Sequence, residues 1–143
     1  MKEFHCPYCN ERLSHFNGTI IKMKGVMKCG TFECISNIYL PGALGHYDAL
    51  VDDHVKLEPG VTVDFRCPNL SCNRSFTTEY DDDLAEIKMI DEDQEYAVVF
   101  NRIYGRHATY LVDYKKKKLQ EAYGEHRRDY LDEFEKPLNF FGQ

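Results

Sequence analysis

Six cysteines set as three close pairs constrain this chain more than any other feature. They are Cys6 with Cys9 in "FHCPYCNERL", Cys29 with Cys34 in "MKCGTFECIS", and Cys67 with Cys72 in "FRCPNLSCNRSF". A disulfide framework built from them needs an oxidising compartment, and the opening "MKEFHCPYC" has no apolar export stretch. Close pairs in a reducing compartment favour metal. Each pair has the chemistry of a knuckle, in which a tight turn aims two thiolates and several backbone amides at one point. Pro7, Gly30 and Pro68 suit such turns.

One zinc takes four ligands, so six cysteines leave two over. The 19 residues between Cys9 and Cys29 match the spacing of four-cysteine sites presented by neighbouring hairpins. That spacing favours Cys6, Cys9, Cys29 and Cys34 as one site, with Cys67 and Cys72 joined by His46 or His54. The other allocation pairs Cys6 and Cys9 with Cys67 and Cys72, and both stay open. "GTIIKMKGVMKC" reads as a hairpin with Gly18 and Gly25 at turns. At the third knuckle, "VTVDF" delivers the cysteines, Pro68 and Asn69 shape the turn, Phe76 packs beneath, and Arg66 and Arg74 stay in solvent.

"FHCPYC" and above all "CPNLSCNRSFTT" resemble the zinc ribbons of the Ogr and Delta phage transcription activators and of many small bacterial zinc proteins. The resemblance implies structural zinc, one or two ions, held by Cys6, Cys9, Cys29, Cys34, Cys67 and Cys72. It covers about residues 1–78 and is specific for metal binding, whereas ribbons serve transcription factors, enzyme subunits and adaptors alike. Zinc is favoured over a rubredoxin-like iron site by the four-residue gaps. "CPYC" also matches the dithiol of thioredoxin-like enzymes, but "NERLSHFNGT" is too polar to open the required helix.

Residues 79–143 read differently. "EIKMID", Tyr96 to Ile103 and Ala108 to Tyr114 are three β-rich runs, joined by "DEDQ" and by a turn at Gly105, and they predict an antiparallel meander. "KKKKLQEAYGEH" fits a fourth strand or a helix. The recurrence of "YGRH" at 104–107 as "YGEH" at 123–126 supports the strand and brings His107 near His126. Tyr130, Leu131 and Phe134 at helical spacing predict a short terminal helix closed by Pro137, followed by "PLNFFGQ". The expected class is α+β, mostly β: zinc-ribbon hairpins, then a meander and a C-terminal helix.

Charge and aromatic content bear on partners. Residues 1–76 balance 8 Lys and Arg against 8 Asp and Glu, whereas 77–143 carry 10 against 16, so the net charge of −6 arises wholly in the second half. Nucleic-acid binding needs a basic face, and only Lys115 to Lys118 is dense. Ten Tyr and nine Phe with no Trp exceed what two small subdomains readily bury, which suggests a protein-binding face. The sequence therefore favours a non-catalytic cytoplasmic zinc protein, off the membrane, acting as an accessory subunit of a larger protein assembly. A nucleic-acid-binding regulator is the alternative, and a weaker one is an enzyme with a site at Tyr104, Arg106, His107 and His126.

Overall fold

The computed structural model describes residues 2–134, which form two five-stranded antiparallel sheets. The first sheet has the order β1 (Lys2–His5), β7 (Leu84–Asp91), β8 (Gln94–Asn101), β9 (Thr109–Asp113) and β10 (Leu119–Tyr123). In the second, β2 (Ser14–His15), β3 (Ile20–Cys29), β4 (Phe32–Pro41) and β5 (Leu50–Val51) run in sequence order, and β6 (Asp64–Arg66) pairs with β3. The fold is mostly β, as expected. Pairing also crosses position 78: β1 adds to the edge of β7 with Phe4 opposite Met89, and Thr77 bridges Ala85.

The meander follows from period-two alternation and its turns. Glu92 and Asp93 both take left-handed φ (48° and 69°), the backbone a two-residue hairpin turn requires. "KLQEAY" resolves as strand, because Leu119 to Tyr123 pair with Thr109 to Val112 and leave Lys115–Lys118 to the turn. Strand β8 departs from simple alternation with the run Ala97, Val98, Val99, Phe100, all buried. Both of its faces are covered. Val98 and Phe100 pack in the core that also holds residues of the second sheet, while Ala97 and Val99 pack with Tyr110, Tyr130 and Phe134. A strand buried on both faces has no reason to alternate.

The terminal element begins as a 3₁₀ turn at Arg127–Tyr130, with helix over 132–134. Pro137 and "PLNFFGQ" lie outside the described residues.

The reading of "GTIIKMKGVMKC" as a hairpin needs correction. Gly18 is in a turn (φ 83°), but Gly25 lies inside the continuous ten-residue strand β3. A Cβ at Gly25 would sit 2.2 Å from Ile38 Cδ1 of β4 and 3.1 Å from Val63 Cγ1. The glycine is there to admit those side chains. The actual hairpin joins β3 to β4, with Cys29 opposite Phe32 and Gly30 at φ 69°.

Candidate metal centre

Two turns at the ends of short strands converge to build the site. Strand β1 delivers Cys6, whose N–H donates to Glu11 O (2.9 Å), while Asn10 N–H returns to Cys6 O (3.0 Å) and Tyr8 N–H points at Cys6 Sγ (3.4 Å). Strand β6 delivers Cys67, whose N–H donates to Arg74 O (3.1 Å). Within that turn Cys72 and Asn73 N–H donate to Asn69 O, and Ser71 N–H donates to Asn69 Oδ1. Each knuckle closes on an asparagine with left-handed φ directly after its second cysteine, Asn10 (65°) and Asn73 (47°). Asparagine tolerates that backbone where most residues do not.

The four sulfurs come together across the fold. Cys9 Sγ is 3.6 Å from Cys67 Sγ, Cys6 Sγ is 3.9 Å from Cys72 Sγ, and all four lie within 4.8 Å of one another. A tetrahedral zinc with Zn–S bonds of about 2.3 Å places its sulfurs about 3.8 Å apart. The spacings of 3.6 and 3.9 Å match that edge. Two further contacts clasp the knuckles: the Arg74 guanidinium lies 4.0 Å from the centre of the Tyr8 ring, and Asn69 Nδ2 donates to Glu11 Oε1 (3.3 Å). Arg66 donates from Nε to Asp64 and from Nη1 to Asn73 O. Arg74 stays exposed as expected while lying over Tyr8, whereas Arg66 is half-buried and braces its turn.

Burial sets the electrostatics. Cys6 and Cys67 are almost wholly buried, while Cys9 is exposed and Cys72 half-buried. Desolvation pushes the Cys6 and Cys67 thiols up, whereas the backbone N–H of Arg74 pulls Cys72 down. A divalent cation among these sulfurs would offset the thiolate charge that desolvation disfavours at Cys6 and Cys67. The arrangement suits metal holding, because four sulfurs from two turns converge on one point. Phe76 is buried in the same core as Cys6 and Cys67.

Cys29 and Cys34 are placed elsewhere. They are joined as a disulfide across the base of the β3–β4 turn, with Cα atoms 5.9 Å apart. The structure thus groups Cys6 and Cys9 with Cys67 and Cys72, not with the pair that lies nearer in sequence. His54 Nε2 is engaged with Ile35 O (3.0 Å) and His46 is exposed, and neither joins the sulfur cluster.

His107 and His126 do meet, as the repeated "YGRH" and "YGEH" suggested. His107 N–H donates to His126 Nδ1 (3.0 Å), His126 N–H donates to His107 O (2.9 Å), and Tyr47 stacks on His107 at 4.4 Å. These bonds tie the end of β10 to the start of β9. Arg106 faces Asp129 at 3.4 Å, and Tyr104 exchanges backbone bonds with Gly60 and Val61.

Tyr8, Glu11, Asn10 and Asn73 join the centre without having been expected there from sequence. The signal available for the asparagines was the "CN" that ends both "CPYCN" and "CPNLSCN". No helix among the described residues is long and apolar enough to cross a membrane. Comparison with protein-family models, with curated proteins and with solved structures returns no match.

Proposed function

We propose that this chain is a non-catalytic zinc protein whose four-thiolate centre is structural, and that it serves as an accessory subunit within a larger protein assembly. The observation that carries the zinc reading is the convergence of the Cys6, Cys9, Cys67 and Cys72 sulfurs within 4.8 Å of one another, two of the spacings being close to a tetrahedral edge. Zinc there locks the amino-terminal strand, which belongs to the first sheet, to β6 of the second sheet. Metal affinity is in such centres folding free energy.

The accessory role draws on what the surface leaves exposed. Phe32, 75% exposed, stands beside the β3–β4 turn, Ile35, 60% exposed, lies three residues further along β4, and Phe16 and Leu70 are similarly bare. Exposed apolar side chains on both faces of one hairpin offer contact points for a protein surface. Nucleic acid is disfavoured. Lys115 and Lys116 N–H groups bond Asp113 and Lys117 lies over Tyr114, so the four lysines form a turn within an acidic half and not a basic face.

Native mass spectrometry of the protein drawn from its own cells tests both parts of this reading. It should give one zinc per chain and a heteromeric mass that the Phe32→Ser, Ile35→Ser double variant loses. A zinc-free chain, or a zinc-loaded chain with no partner, would contradict the respective part.

A further inference from the structure

The two sheets do not close fully on one another. Between them lies a cavity of about 90 Å³, walled by Ile38 and Leu40 of the second sheet and by Val98 and Phe100 of the first. Its outer end is formed by the loops 41–49 and 101–107, which contribute His46, Arg102, Arg106 and His107. Acidic residues outnumber basic ones by 24 to 18 in the chain, yet no Asp or Glu lines this cavity among the described residues. An apolar interior lined by two arginines and no carboxylate is a charge pattern opposite to that of the molecule as a whole.

We propose that this cavity binds a small amphipathic organic anion, a carboxylate carried on a short aliphatic chain or a single ring. Size bounds the body of the ligand: about 90 Å³ is several times the roughly 10–15 Å³ that a single water needs, which admits a short chain or one ring. Charge sets the head. Arg106 and His107 presently face Asp129 and Glu125 at 3.4 Å each, and those carboxylates are 46% and 69% exposed. Solvated surface pairs of that kind contribute little, so a ligand carboxylate backed by apolar burial competes with them. Tyr47 adds a polar group at the same end. Its hydroxyl is buried beside Thr109, both residues line the cavity, and the oxygen has no hydrogen-bond partner of normal geometry among the described residues. Arg102 is a positioning residue: its Nε donates to Val63 O and its Nη1 to Asp82 O, which fixes the rim. A mostly apolar pocket with a few polar groups gathered at one end is the usual form of a small-molecule site.

The test is a titration of the zinc-loaded full chain with hexanoate, followed through the methyl resonances of Ile38, Leu40 and Val98. Saturable shifts at these methyls are expected. Hexylamine, which matches the chain but reverses the charge, should bind at least about tenfold more weakly, and Arg106→Gln, at an exposed position that leaves the fold intact, should weaken hexanoate by about the same factor. Methyls unmoved by hexanoate up to about 10 mM would overturn the proposal. So would hexylamine binding as tightly as hexanoate, or an R106Q protein that binds hexanoate with unchanged affinity.

Discussion

Cys9 Sγ lies 3.6 Å from Cys67 Sγ although 58 positions separate the two residues along the chain. The contact joins the turn after β1 to the turn after β6, and these strands belong to different sheets. Replacing Cys67 by Ser should abolish stoichiometric zinc. It should also cost about 3 kcal/mol or more, a fraction of the ~10–16 kcal/mol that structural zinc supplies to small thiolate modules. Elemental analysis and thermal unfolding of the reduced protein check both parts.

Cys29 and Cys34 should behave oppositely. Their double replacement by Ser is expected to leave one zinc per chain. The stability lost should not exceed about 2 kcal/mol, since the disulfide closes a loop whose ends are only five positions apart. Metal content beside a denaturant titration gives the two numbers.

Gly25 is a packing position, and that makes a coupled prediction. Gly25→Ala should destabilise by about 1–3 kcal/mol, because the new methyl falls onto Ile38 Cδ1. Shortening the partner with Ile38→Val should recover part of that loss, and a double-mutant cycle in denaturant measures the coupling.

The cysteine pairs and Gly25 mark how far the sequence was legible. The meander could be read because "EIKMID", "EYAVVF" and "TYLVD" carry their own turn residues, so each hairpin is specified locally. The meeting of His107 with His126 was readable for the same reason. Gly25 was not, because a glycine in a strand looks like a turn until Ile38 of the neighbouring strand is seen against it. The knuckle pairing was undecidable from spacing, since sulfur grouping depends on β1 leaving the first hairpins to join β7. Both allocations satisfied the count of four ligands, and only the sheet order separates them.

Glu86 carries a pH prediction. Burial holds its carboxyl above the usual carboxylate range, although Lys117 and the Tyr80 hydroxyl partly oppose this. A group raised in the folded state contributes its stability below its unfolded value and loses it as pH climbs through the folded value. Ionised Glu86 is thus a burden at neutral pH. Glu86→Gln should raise Tm at pH 7 and give no gain at pH 4, as thermal unfolding at the two values would show.

Differential alkylation with peptide mapping tests the four-thiolate centre most directly. In native protein prepared without reductant, Cys6, Cys9, Cys67 and Cys72 should all alkylate slowly, then react together when a strong chelator is added, with no reductant needed. Cys67 and Cys72 alkylating at once in untreated protein, or only after reduction, would contradict the account.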